Sequence, residues 1–382
     1  MIIGFDFHPR TRIVFGVNAV DRLGELAREV GAGKVLIVTD AGIVAAGHVE
    51  RAKHALEATG LRVAVFDRVH ENPTTRDVDE CVQVARAEKI DTLIGLGGGS
   101  SLDTAKGCNF LLTNGGRMQD YWGVGKARKP MLPFIAVPTT AGTGSECQSA
   151  ALIADEVTHQ KMACLDPKAA AQIAVLDPTL TASQPRRVTA CTGLDAIAHA
   201  VETVVTRKRN ELSLLYSQEA LRLTVNNLER VLDCPDDLEA RAAMQWGAAL
   251  AGMAIELSML GAAHAAANPL TAHFGIVHGQ AVGMMLPHVV CFNAEDRDAR
   301  AGYRHAARYA GLREGSVEAL VGRLQSLLQI AGMPPSLADC GVTSEVIPML
   351  AAEAAAQWTA TFNPRAMTAA DFERLYWAAL HP

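Results

Sequence analysis

Short runs of β-branched and aliphatic residues recur through the first half of the chain, each after an amphipathic stretch, and this alternation narrows the fold before any other feature does. Val35-Leu-Ile-Val-Thr39 follows a helical stretch closing at Gly31 to Gly33, Arg62-Val-Ala-Val-Phe66 follows 49–59, and Thr92-Leu-Ile-Gly-Leu96 follows 77–89. Strands that are apolar along their whole length are buried on both faces, so the rhythm predicts a parallel sheet with helices on either side. Phe134-Ile-Ala-Val-Pro138 and the run at 172–178 extend it. After a crossing segment at 179–188, which carries Pro185, the pattern becomes helical: 195–205, 211–232, 238–267, 316–331 and 371–380. Gly332-Met-Pro-Pro335 and Asn363-Pro-Arg365 punctuate these helices. A chain of 382 residues exceeds what one core serves. The expected organisation is an α/β domain at 1–184 and an all-α domain at 185–382.

Charge and cysteine usage exclude several partners. A net charge of −6 argues against nucleic acid or an anionic membrane, which call for a basic surface. The eight cysteines form no Cys-x-x-Cys pair and read as small buried hydrophobes of a reducing, cytoplasmic compartment. The N-terminus, with an early Asp6 and no basic region before a long apolar run, does not read as a signal peptide. The stretch 247–270 is apolar enough to resemble a membrane span, but Glu256, His264 and Asn268 interrupt it, so a buried helix is expected.

Chemistry concentrates in a few stretches. Asp195 and His199 stand four residues apart, which on a helix aims a carboxylate and an imidazole at one point. With His264 and His278 they make one carboxylate and three imidazoles, a set suited to a divalent first-row ion, Fe²⁺ or Zn²⁺ before others. The third strand runs into Gly97-Gly-Gly-Ser-Ser-Leu-Asp103-Thr-Ala-Lys106. Glycines at a strand's carboxyl end let backbone approach a phosphate, and Ser100 is expected to cap the helix whose first amides face that anion. The spacing is not the G-x-G-x-x-G fingerprint. Asp40, ending the first of these strands, suits a ribose 2′-hydroxyl and would repel a 2′-phosphate, favouring NAD over NADP. Hydroxyls and glycines of Thr139-Thr-Ala-Gly-Thr143-Gly-Ser-Glu146 suit a polar ligand.

Four ordered motifs, Gly97-Gly-Gly-Ser-x-x-Asp103-x-x-Lys106, Pro138 to Glu146, Gly193-x-Asp195-Ala-x-x-His199-Ala-x-Glu202 and His264 with His278-Gly279, resemble the iron-containing (group III) alcohol dehydrogenases along the whole chain. The resemblance implies the dehydroquinate synthase-like fold, an NAD(P) cofactor and one divalent metal, Fe²⁺ before Zn²⁺, held by Asp195, His199, His264 and His278. It implies cofactor contacts at Asp40, Asn72, Gly97, Gly98, Gly99, Ser100, Asp103, Thr139, Thr140, Thr143 and Lys161, with the cofactor in a cleft between the domains, and a homodimer or larger homo-oligomer.

Where many relatives carry a second histidine four residues after the third ligand, this chain has Asn268, which shares the ligand face but cannot act as an acid or base. His273 falls on the opposite helical face and, like His288, reads as structural. Ala150, where some relatives place a polar residue, points to a less hydroxylated substrate. The leading function is a metal-dependent, NAD-linked oxidoreductase acting on a short-chain alcohol, aldehyde or ketone. The alternatives are a carbon–oxygen lyase of the dehydroquinate synthase type, a metal-independent reductase on the same scaffold, and a binding protein without catalysis.

Overall fold

In the computed structural model, which describes residues 4–158 and 160–381, the apolar runs become strands. They are β1 (Arg12–Phe15), β2 (Lys34–Val38), β3 (Arg62–Phe66), β4 (Thr92–Gly97), β5 (Gly123–Val124), β6 (Phe134–Pro138), β7 (Ala150–Ala154), β8 (Lys161–Leu165) and β9 (Ile173–Leu176). Six form an all-parallel sheet in the order β1-β9-β6-β4-β2-β3. Helices α1 (Leu23–Glu29), α2 (Ala41–Ala45), α3 (His48–Glu57), α4 (Thr75–Glu88) and α5 (Gly99–Asn114) cover it.

Strand side chains alternate in direction, and both sets are buried. Val35, Ile37, Ile94, Leu96, Ile135 and Val137 share one core with Leu23 and Leu26 of α1 and Ala52 and Leu56 of α3. Leu36, Val38, Leu93 and Phe134 share another with Val78 and Val82 of α4 and Leu102 of α5. The sheet is therefore apolar on both faces, as the continuous runs predicted. Strand order turns back at β2, which has β3 on one flank and β4 on the other. In open parallel sheets the crevice at such a switch point, outside the carboxyl ends of the strands, receives ligands. Here those ends are Val38 and Gly97. The smaller sheet, β5-β8-β7, has no counterpart among the expected strands, because its runs are short and interrupted.

The second half is helical: α6 (Arg186–Thr203), α7 (Glu211–Asp233), α8 (Leu238–Ser258), α9 (Ala262–Phe274), α10 (His278–Asn293), α11 (Arg297–Tyr309), α12 (Val317–Ile330), α13 (Ile347–Ala356) and α14 (Ala369–Leu380). One continuous core, rich in alanine, joins them. By internal contacts the chain forms two compact units, residues 7–140 with 144–184, and residues 1–6, 141–143 and 185–382.

Two expectations are corrected. The crossing segment at 179–188 already carries the start of α6, because Pro185 immediately precedes Arg186 and its fixed φ, −56°, suits a helix start. The single helix expected at 238–267 is two, α8 and α9, bent by 105°. The break sits at Met259 (φ 65°, ψ 177°), with Ser258 C=O drawn out of the helix to accept from Thr206 Oγ1 at 2.9 Å. Among the described residues no single helix is long and apolar enough to cross a membrane.

Candidate active site

Asp195 and His199 lie one turn apart on α6, both buried, with Asp195 Oδ1 3.3 Å from His199 Nε2. The same carboxylate oxygen is 3.3 Å from Nε2 of His264 on α9 and 3.9 Å from Nε2 of His278, the first residue of α10. The rings of His199 and His264 stack at 4.8 Å, and those of His264 and His278 tilt at 5.4 Å. One oxygen and three nitrogens thus converge from three helices.

That convergence leaves its atoms unspent. Asp195 Oδ1 and His264 Nε2 are fully buried and have no hydrogen-bond partner among the described residues. Buried polar atoms are almost always satisfied, so an orphaned acceptor facing an orphaned ring nitrogen is the signature of a site shaped for a further atom. Asp195, His199 and His264 offer ligand atoms within 4.8 Å of one another, a spacing that suits a cation. The donors, carboxylate and imidazole without thiolate, fit a borderline divalent ion.

The electrostatics agree. Burial would raise the Asp195 carboxyl, but His199, His264 and His278 outweigh it and hold the group ionised far below the usual carboxylate range. Burial pushes His199 down to about 4, so it is a neutral donor at physiological pH. Burial also opposes protonation of His264, yet the charges of Glu202 and Asp195 prevail and lift it to about 9, so without an ion the ring is protonated, and a cation bound there would take the place of the Nε2 proton.

Glu202, one α6 turn beyond His199, was absent from the expected ligand and contact set although it closes the third motif. Its Oε2 lies 2.5 Å from His264 Nδ1, and its Oε1 accepts from Ala263 N at 2.6 Å. A carboxylate on Nδ1 fixes one proton there, so that when the second proton leaves, the Nε2 lone pair is the one that faces Asp195. Glycines set the helix approach. A Cβ at Gly279 would meet Cys191 C=O at 2.0 Å, so α10 rests on the α6 backbone, which brings His278 beside Asp195. A Cβ at Gly142 would meet Thr192 Cβ at 2.4 Å.

Asn268 lies one turn beyond His264 on α9, partly exposed, and its Nδ2 donates to Gln357 Oε1 at 3.0 Å. Pro269 sits inside α9 without ending it, so His273 stays off the ligand face and pairs with Glu353 at 2.9 Å. His288, on α10, is half-buried, and that burial lowers its pKa.

The sheet unit assembles its own residues at the switch point. Asp40 caps α2, its Oδ1 accepting from Gly42 N (2.9 Å) and Ile43 N (3.1 Å), while Oδ2 stands 3.5 Å from Ser101 Oγ. Gly97, with φ 152°, turns the chain out of β4 where a Cβ would meet Ser101 Oγ at 2.5 Å. Gly97 C=O accepts from Thr139 N at 3.0 Å, tying the glycine loop to the loop after β6. Ser100 does not cap the helix, contrary to expectation. The extended backbone of Gly98 makes Gly98 the cap, and α5 starts at Gly99 with Ser100 inside its first turn. The first amides of α5 therefore face the switch point without a side-chain partner.

Asp103 is buried one turn further on. Its oxygens accept from Ser145 Oγ (2.7 Å) and Leu152 N (3.3 Å), beside Lys106 Nζ at 3.7 Å. Lys106, wholly buried, donates to Ser145 O and Oγ and to Ala150 O, so this ion pair fastens the loop that follows Thr143. Thr139 is buried and accepts from Gln184 Nε2 at 3.3 Å, Thr140 and Thr143 are half-buried, and Lys161 opens β8 in an exposed position. Asn72 is exposed with φ 54°.

Comparison with known proteins places the chain. Residues 9–178 match the family model described as iron-containing alcohol dehydrogenase, and residues 189–380 match the C-terminal model of the Fe-containing alcohol dehydrogenase family. Alcohol dehydrogenase 4 of Schizosaccharomyces pombe is 36% identical over 96% of this chain and 87% of its own. The NAD-dependent methanol dehydrogenase of Bacillus methanolicus is 33% identical over 96% of this chain and 97% of its own. A crystal structure of 1,3-propanediol oxidoreductase superposes with a TM-score of 0.95 at 31% identity, covering 99% of this chain and 100% of that one.

Proposed function

The chain belongs to the iron-containing alcohol dehydrogenase family, and from that premise we propose that it interconverts a short-chain alcohol and its aldehyde or ketone, using NAD(H) and a divalent ion held by Asp195, His199, His264 and His278. The observation that carries this reading is the buried, unpartnered Asp195 Oδ1 ringed by three imidazoles. Fe²⁺ is the ion proposed first and Zn²⁺ second. When bound, such an ion supplies Lewis acidity, which polarises a carbonyl and lowers the pKa of an alcohol.

The chain's own residues do the rest. Glu202 holds the His264 proton on Nδ1, so that Nε2 remains a donor. Asp40 Oδ2, left over from helix capping, accepts from ribose hydroxyls and disfavours a 2′-phosphate. Gly97, Gly98, Gly99 and Ser100 offer backbone amides of the α5 N-terminus to the pyrophosphate. Thr139, Thr140, Thr143, Asn72 and Lys161 are proposed as further cofactor contacts. Asp103, its oxygens engaged by Ser145 and Leu152, serves the cofactor by holding the loop in place. Fixing the nicotinamide against the reacting carbon is a positioning contribution.

The lyase alternative loses ground because both halves of the chain match dehydrogenase models. A cytoplasmic setting is supported by cysteines that are all free. A homo-oligomer is supported by β1, an edge strand with Phe15 45% exposed.

The test is metal content together with NADH oxidation against a panel of short aldehydes, on protein stripped and reloaded with Fe²⁺ or Zn²⁺, with His264→Ala as control. Activity is expected only after reloading and not in the variant. Activity indifferent to metal would overturn the proposal.

A further inference from the structure

The stretch Phe362-Asn363-Pro364-Arg365, which in the sequence only punctuates helices, is a strap that touches all three helices carrying the four ligands. Just beyond the end of α6, Arg207 N donates to Phe362 C=O at 2.9 Å and Arg207 Nε to Pro364 C=O at 3.3 Å. At the end of α10, the Arg365 guanidinium lies 3.8 Å from the centre of the Phe292 ring and donates to Phe292 C=O. At the cap of α9, a Cβ on Gly261 would stand 3.3 Å from Asn363 Oδ1 and 3.1 Å from Glu202 Oε1, the carboxylate whose other oxygen meets His264 Nδ1.

The middle of the strap is a pair of buried amides. Asn363 Nδ2 donates to Asn293 Oδ1 at 2.8 Å, and Asn293 Nδ2 donates to Asn363 Oδ1 at 3.0 Å. The second N–H of Asn363 goes to Arg365 C=O at 2.9 Å, and that of Asn293 to Tyr303 Oη at 3.2 Å. All four N–H groups and both oxygens are therefore engaged. Amides inside an apolar core cost stability unless every group is met, and hydrocarbon would fill the same space without that demand. What the amides add is direction, since four bonds of fixed geometry allow one placement of the strap against α10.

We propose that Asn363, clasped by Asn293, is a positioning residue of the metal centre: it seats the cap of α9 against Glu202 and so fixes where His264 meets Asp195. The proposal rests on the metal-dependent reading above and deepens it. His264 follows Gly261 by less than one helical turn, so a displaced cap displaces the imidazole with it. Glu202 also accepts from Ala263 N at 2.6 Å, so the carboxylate that orients His264 is tied to the same turn. His278 opens α10 whereas Asn293 closes it, and the clasp therefore acts on His264 rather than on His278. Partners of this kind, one step behind a ligand, set its orientation and through it the affinity of the site.

The experiment measures the dissociation constant for Zn²⁺ by chelator competition, and the visible spectrum of the Co²⁺ form, whose bands follow coordination geometry. The proteins are the full-length wild type, Asn363→Ala, Asn293→Leu and the double variant, and the melting temperature of each metal-free protein is recorded beside them. Each single variant is expected to bind Zn²⁺ about tenfold more weakly, the scale of one lost hydrogen bond, and to change the Co²⁺ spectrum. Each also leaves the other amide unmet and should melt lower. In the double variant one leucine fills the space where the two amides met, so the melting temperature should recover toward wild type. Affinity and spectrum should not recover, because apolar packing restores volume without restoring direction. Single variants that melt lower but keep the wild-type affinity and spectrum would assign the clasp a packing role and overturn the proposal, as would a double variant in which all three properties recover together. Should the single variants fail to fold, the double variant decides on the same criterion. Wild type that binds Zn²⁺ tightly while every variant matches it refutes the role of Asn363 alone. Wild type that binds neither ion refutes the metal-dependent reading and this proposal with it.

Discussion

Replacing Glu202 with glutamine tests the site through a residue that touches neither ion nor substrate. Glu202 uses both oxygens, one on His264 Nδ1 at 2.5 Å and one on Ala263 N at 2.6 Å. An amide has a single oxygen, so in Glu202→Gln one of these two donors must face an NH2 group. If the oxygen stays on Ala263 N, the NH2 faces Nδ1 and favours the tautomer with its proton on Nε2, the atom that points at Asp195. If the oxygen turns to Nδ1, a buried backbone N–H is left unmet, at a cost of about 1–3 kcal/mol. Either way the metal-ready arrangement loses about 1.4–2.8 kcal/mol, or about 10- to 100-fold in metal affinity, the scale of losing a carboxylate behind a ligating histidine. Chelator competition gives the dissociation constant directly, and metal content after graded dialysis checks it. The melting temperature of the metal-free variant serves as the control for folding. Affinity within about twofold of wild type would refute the assignment of Glu202. A melting temperature that falls while affinity holds would assign it a packing role only.

Two further outcomes follow from packing and burial. Gly279→Ala places a Cβ 2.0 Å from the Cys191 carbonyl, where only backbone movement gives relief. Calorimetry should show at least about 1–3 kcal/mol of destabilisation with impaired metal retention, and an unchanged melting temperature would contradict the close approach of α10 to α6. Burial raises the Glu146 carboxyl to about 7 from an ordinary 4.5, so the folded protein binds a proton that the unfolded chain releases between those values. Stability should therefore fall as pH rises from about 4.5 through 7, by about 3 kcal/mol in all, and Glu146→Gln should flatten that slope and melt higher at alkaline pH. A slope that survives the substitution would exclude Glu146 as its source.

The legible parts of this molecule were those with local causes. Apolar runs such as Val35 to Val38 read as buried parallel strands because period and hydrophobicity sit in the run itself. Asp195 and His199 read as a pair because one helix sets their spacing. His264 and His278 joined them as a ligand set of the right chemistry, and the resemblance supported that grouping, but their meeting depends on Gly279 letting α10 rest on α6, which no spacing shows. Glu202 and His264 are 62 residues apart, and Asn268 and Gln357 are 89 apart, so neither contact leaves a trace in spacing. Ser100 misled because serine after glycine resembles a cap, whereas the backbone at Gly97 and Gly98 starts the helix sooner. The break at Met259 was missed because methionine is itself a good helix former, although Gly261, two residues on and the cap of α9, is a local stop signal.

Met259 holds a backbone region that is nearly exclusive to glycine. Such a residue stores on the order of 1–3 kcal/mol, a sizeable share of what keeps a domain folded. The surrounding bonds, Met259 N to Ile255 O and Thr206 Oγ1 to Ser258 O, keep that energy from relaxing into a straighter helix. Without the sharp corner, α9 would run on along the axis of α8 and carry His264 away from Asp195. The corner is thus a loaded spring: part of the chain's stability is held in reserve as tension, and the return is a histidine already in position before any ligand arrives.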